Sequence, residues 1–154
     1  MGAGPPFKVG MITNLIIGVG QLGSRHLQGL LKFKKEQIIY VLDNSEESLK
    51  TAKERAKEID CGHTVKYLTD WHDIPPILDL VIVATGASVR AKIVIKILGS
   101  FKVKNLILEN VLFQDLKSYT VIDKLIKATN TPTWVNHPRR MFNHYNEIKN
   151  KIYE

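Results

Sequence analysis

The chain has 154 residues, the size of one ordinary domain, with 44% apolar and 24% charged residues, a balance that supports a buried core and argues against disorder. The single cysteine, Cys61, excludes a disulfide framework and an all-cysteine metal cage, and no apolar run approaches the roughly 20 residues of a membrane span. The net charge of +7 comes mostly from dispersed lysines. With no arginine-rich run, zinc-finger spacing or aromatic RNA-binding signature, it reads as a solvated basic surface, and nucleic acid is not an expected partner.

Residues 1–10 read as a leader or cloning scar, with Met11 as the expected natural start. They hold no apolar signal region, and Pro6 breaks the myristoylation pattern, so the expected compartment is the cytoplasm. The apolar run 14–19 ends in glycines and predicts a buried strand. A helix is expected over 22–34, with Leu22, Leu27, Leu30, Leu31 and Phe33 as its apolar positions. A strand over 37–42 follows. Ser45, with Glu46 and Glu47 behind it, opens a helix whose inward face holds Leu49, Ala52, Ala56 and Ile59. A weaker strand over 63–68 leads to a turn closed by Pro75 and Pro76.

The run 78–84 predicts a strand that ends at Thr85 and Gly86. A helix over 88–98 carries Val89, Ile93, Val94 and Ile97, with Gly99 as its stop. Then come a strand over 105–109 and a helix over 115–128 with Leu116, Tyr119, Ile122, Leu125 and Ile126 on one side. A last strand covers 133–136. Pro138 sits near the first turn of a final helix, with Met141, Phe142, Tyr145, Ile148 and Ile152 in register. Six short strands separated by helices, apolar without alternation, imply a doubly wound, Rossmann-like α/β fold. The sheet is expected to be six-stranded and mostly parallel, with helices on both faces.

The first strand runs into Gly18-Val19-Gly20-Gln21-Leu22-Gly23, a G-x-G-x-x-G turn between a strand and a helix. Gly18 suits the tight turn, Gly20 leaves room for a pyrophosphate against the backbone, and Gly23 lets helix and strand pack closely. The N–H groups of the helix start, at Gln21 and Leu22, add donors and a positive dipole for phosphates. Asp43 ends the second strand, 20 residues after Gly23, where a carboxylate receives both ribose hydroxyls of an adenosine half. The alternative is that Asp43 is a loop residue or a cap for the next helix. Asn44 and Ser45 follow with no arginine, so the motif favours NAD over NADP unless Lys66 or another lysine reaches in.

From residue 13 onward the chain resembles the Gfo/Idh/MocA oxidoreductases, the glucose–fructose oxidoreductase and inositol dehydrogenase type. The resemblance rests on the stretch from Gly18 to His26, on Ala84-Thr85-Gly86 where the family has A-T-P or A-T-N, and on Glu109-Asn110-Val111 where it has Glu-Lys-Pro. It implies that Thr85 and Glu109 line the nicotinamide end and that Asn110 occupies the slot of the family's catalytic lysine. Asparagine forms hydrogen bonds but does not shuttle a proton. Arg90 stands where relatives usually have a histidine, and His26 reads as helix–sheet packing. The stretch 136–145 resembles the family's crossover into a substrate-holding mixed sheet. The expected division is therefore a dinucleotide-binding unit over 11–136 and the start of a crossover helix over 137–154, toward a substrate domain absent from this sequence.

No metal site is expected. Cys61 and His63 lack further ligands, and His137 and His144 lack zincin spacing. Trp71 and Trp134 read as core or rim packing. The main expectation is the cofactor half of an oxidoreductase acting on a hydroxyl of a sugar, nucleotide sugar or cyclitol, a homo-oligomer that alone binds NAD without turnover. The alternative is a non-catalytic dinucleotide sensor that regulates a partner.

Overall fold

The computed structural model describes residues 10–153. In chain order it forms β1 (Ile12–Ile17), α1 (Gln21–Leu31), β2 (Gln37–Leu42), α2 (Glu46–Ala56), β3 (Thr64–Leu68), β4 (Ile77–Leu78), β5 (Leu80–Val83), α3 (Ala87–Ser100), β6 (Lys102–Val103), β7 (Leu106–Glu109), α4 (Leu116–Thr129) and β8 (Thr133–Asn136). A 3-10 turn, Pro138–Met141, then leads to α5 (Asn143–Tyr153). Six strands make one sheet in the order β3-β2-β1-β5-β7-β8. Every pair in it is parallel, so the sheet is wholly rather than mostly parallel. β4 and β6 form a separate two-stranded parallel ladder that the sequence did not suggest.

The strand pleat explains the unbroken apolar runs. Leu15 and Ile17 face a layer with Val94, Ile97 and Ile122, while Ile16 faces a layer with Leu27, Leu31, Leu49 and Ala52. Both faces of β1 are thus buried, as in a sheet covered by helices on each side. The sheet grows from β1 outward to β3, then returns to place β5 on the other side of β1. At that reversal the loops leaving the two strands splay apart, and the carboxyl ends of β1 and β5 open a crevice.

Several helix boundaries differ from expectation. α1 stops at Leu31, three residues before the predicted end, and Leu22 and Phe33 are half exposed. α3 runs through Gly99 and ends at Ser100 because Phe101 turns extended (φ −130°, ψ 148°), where its ring stacks 6.0 Å from Trp71. On α4 the buried residue is Ile122, while Leu116 lies exposed at the helix start, after the Asp115 cap. Pro138 opens the 3-10 turn rather than the last helix, because Phe142 is extended and α5 begins only at Asn143. Met141 lies outside the described side chains. No helix of the described residues is long and apolar enough to cross a membrane.

Candidate functional site

The crevice is floored by the glycine turn between β1 and α1. Gly18 has φ +81°, a left-handed conformation that side chains rarely adopt, and a Cβ there would lie 2.7 Å from Thr85 Cγ2. A Cβ on Gly23 would lie 1.8 Å from the Gly18 carbonyl oxygen, so this glycine is what lets α1 seat on the turn. A Cβ on Gly20 would meet nothing within 4 Å. The backbone there faces open space, the opposite of a position kept bare by packing. Gly20 is also the N-cap of α1 and makes no side-chain cap, and the first turn carries no acidic residue. Gln21 and Leu22 are exposed beside it. The arrangement leaves helix N–H groups and their positive dipole end directed at an unobstructed surface, a setting suited to an anion.

Asp43 follows β2 at the crevice wall. Its Oδ2 accepts the Val19 N–H at 2.7 Å, and its Oδ1 accepts the Ser45 N–H at 2.9 Å. The carboxylate therefore braces the glycine turn, while the capping of α2 falls to Ser45, whose hydroxyl accepts the Ser48 N–H at 3.2 Å. Each carboxylate oxygen accepts one hydrogen bond here and has capacity for another. Lys66 is turned elsewhere, its ammonium 5.3 Å from the centre of the Tyr40 ring. Asp43 lines a cleft of about 260 Å3 together with Gly18, Asn44, Thr69, Trp71 and Thr85. Thr85 Oγ1 is buried there without a hydrogen-bond partner. Trp71, besides stacking on Phe101, carries the Lys96 ammonium 4.3 Å above its ring.

At the other end of the crevice lies Glu109, 4% exposed. Its Oε1 is 2.5 Å from both His26 Nε2 and Asn136 Nδ2. His26 is thus a hydrogen-bonding partner of Glu109, beyond the packing role expected from sequence. Asn110 is exposed, and its peptide bond to Val111 is cis. Arg90 is 3% exposed. Its Nη1 donates to the carbonyls of Glu109 at 2.6 Å, Leu112 at 3.2 Å and Val111, and its Nη2 donates to the Thr85 carbonyl. Burial pulls the guanidinium below its usual range, and the nearby Glu109 charge opposes that shift. The signal for Arg90 was present in the sequence: it shares a helical face with Val94 and Ile97.

The structure therefore brings Gly18, Gly20, Gln21, Leu22, Gly23 and Asp43 to the first part of the crevice and Glu109 and Asn110 to the second, with Thr85 between them: it lines the Asp43 cleft, and its carbonyl shares the Arg90 guanidinium with that of Glu109. Trp134 stands apart, 64% exposed on the edge strand β8. Among the described residues, no group of three or more histidine, cysteine or acidic side chains is arranged to hold a metal ion.

Residues 12–137 match the model of GFO_IDH_MocA, the oxidoreductase family with an NAD-binding Rossmann fold. The chain belongs to this family. No curated protein matches the sequence. Among solved structures, a probable dehydrogenase from Thermotoga maritima superimposes with a TM-score of 0.72 at 19% identity over 92% of this chain and 41% of its own. A putative oxidoreductase from Bacillus subtilis gives 0.70 at 20% identity over 97% of this chain and 41% of its own. The scyllo-inositol dehydrogenase of Lactobacillus casei, solved with NAD(H) and scyllo-inositol, gives 0.67 at 18% identity over 92% of this chain and 41% of its own. The family member described here thus spans about 41% of the length of these relatives.

Proposed function

We propose that this chain is the cofactor-binding unit, over 11–136, of an NAD-dependent oxidoreductase acting on a hydroxyl of a sugar, nucleotide sugar or cyclitol. The observation that carries the reading is the uncapped start of α1 over open space at Gly20, with the Asp43 carboxylate beside it. The residues fit a dinucleotide. The pyrophosphate would lie over Gly18, Gly20, Gln21, Leu22 and Gly23, and the adenosine ribose would bind Asp43. The orphaned Thr85 Oγ1 would gain a partner near the nicotinamide end, close to Glu109. When bound, the nicotinamide supplies hydride chemistry; the chain's residues bind and orient it. The substrate class is supported by the scyllo-inositol bound to the Lactobacillus casei relative.

The 154-residue chain on its own binds NAD without sustained turnover, because Asn110 stands in the lysine slot and offers no proton to exchange. The same substitution favours a second reading, a dinucleotide-sensing unit that regulates a partner. Residues 137–154 begin a crossover toward a substrate domain, the unit works in the cytoplasm, and it self-associates. Calorimetric titration with NAD and NADP at fixed ionic strength tests the cofactor assignment. NAD is expected to bind more tightly, and equal or tighter NADP binding would reject the role of Asp43.

A further inference from the structure

Arg90 joins two turns that the sheet itself leaves unconnected. The β5–β7 ladder ends at the pair Val83–Leu108. Beyond it, the chain after β5 passes through Thr85 and Gly86 into α3, and the chain after β7 passes from Glu109 through Leu112 toward α4. The Arg90 guanidinium lies between them and donates to the Thr85 carbonyl on one side and to the Glu109, Val111 and Leu112 carbonyls on the other. These carbonyls point at the cation. Without it they would be left with a buried, uncompensated demand for donors.

The start of the 109–112 turn is tied further by the Glu109 carboxylate, which receives His26 from α1 and Asn136 from β8. A planar fork is suited to bridging two backbone segments at fixed spacing, which a lysine ammonium does less well. A buried cation costs free energy to maintain, so its position between the two turns, behind Thr85, calls for a gain beyond packing. Arg90 makes no hydrogen bond to Asp43 or Gly20, at the other end of the crevice.

We propose that Arg90 is a positioning residue for the nicotinamide half of the cofactor: it fixes the Thr85 turn against the 109–112 turn and so sets the width of that end of the crevice. The proposal rests on the cofactor-binding reading above. It follows that Arg90 governs affinity for the nicotinamide half and leaves affinity for the adenosine and pyrophosphate half unchanged.

The test is a calorimetric comparison of NAD with ADP, which reaches only the Asp43 and glycine-turn end. Arg90→Met is expected to weaken NAD binding about tenfold and to leave ADP binding within about twofold, a size set by the loss of charge-assisted hydrogen bonds. Arg90→Lys, which keeps the charge but loses the fork, should fall between the two and carries the same comparison if the methionine variant does not fold. A parallel loss of NAD and ADP affinity would show general damage to the fold and overturn the proposal. Unchanged NAD affinity would overturn it as well. Wild-type protein that binds neither ligand would reject the cofactor reading itself, before any variant is made.

Discussion

The Cβ that alanine would place at Gly23 falls 1.8 Å from the carbonyl oxygen of Gly18, so the first and last glycines of the turn are in direct packing contact. A backbone oxygen cannot swing aside as a flexible side chain would. Gly23→Ala is therefore expected to shift α1 off the turn at a cost of about 3 kcal/mol, the upper range for overpacking. Gly20→Ala meets open space and should leave urea stability within about 1 kcal/mol of wild type. It should weaken NAD binding nonetheless, because on the proposed reading its methyl would intrude on the pyrophosphate. Urea melts and NAD titrations of the two variants separate the roles; a Gly23→Ala protein as stable as wild type would contradict the packing argument.

Asp43→Asn keeps an oxygen to accept the Val19 N–H but removes the negative charge. NAD affinity should fall, and the preference for NAD over NADP should narrow, since a carboxylate near a 2′-phosphate is worth on the order of a few kcal/mol at intermediate dielectric. The ratio of the two dissociation constants is the readout. An unchanged ratio would place the ribose elsewhere.

Acid should erode stability in part through Asp79. Burial raises the pKa of this carboxyl, but hydrogen bonds from the Lys104 ammonium and the Thr13 N–H, with the Lys104 charge, outweigh it and leave the pKa below the ordinary carboxylate value of 3.8. The folded state therefore holds the charged form more strongly than the unfolded chain does. This contribution is complete above the unfolded pKa and is lost as pH falls through the lower, folded one. Asp79→Asn should lower the urea midpoint at neutral pH and flatten its fall between about pH 4 and pH 2. Equal acid slopes for the two proteins would rule this residue out.

Self-association should run through the end of the chain. Phe142, Tyr145, Ile148 and Ile152 are all about half exposed or more. Apolar stripes of this kind mark contact surfaces. The paired substitutions Phe142→Glu and Ile148→Glu should shift the sedimentation of the wild-type assembly toward monomer. A wild-type monomer with this helix strongly protected in hydrogen exchange would mean that the stripe is already covered within one chain.

No sustained NADH formation is expected from the 154-residue chain across a panel of sugars and cyclitols. On the proposed reading, a lysine slot filled by Asn110 would alone remove a contribution of about 10² to 10⁴ in rate. In any longer form of the protein, Asn110→Lys should raise the rate. Multiple turnovers by the wild-type chain would show that the proton is handled elsewhere, with His137 the first residue to test.

The layered α/β fold was legible in the sequence because its signals are local. Apolar runs such as Ile38 to Val41 require burial on both faces, Ser45 caps its helix through a hydroxyl that accepts the N–H three residues on, and the glycine turn is held by the left-handed Gly18 and the close approach of Gly23 to it, both within six residues. The first part of the crevice was legible for the same reason, since Gly18 to Gly23 and Asp43 belong to one strand–helix–strand unit. The second part depended on tertiary structure. His26, Arg90, Glu109 and Asn136 come from four elements and meet only when β1, β5, β7 and β8 lie side by side. No spacing rule encodes a hydrogen bond across 83 residues, such as that from His26 to Glu109. Helix ends were likewise decided by packing: Gly99 weakens a helix, but the chain turned only where the Phe101 ring found Trp71. Local propensity sets which elements form, and long-range contacts decide where they stop and which polar groups they bring together.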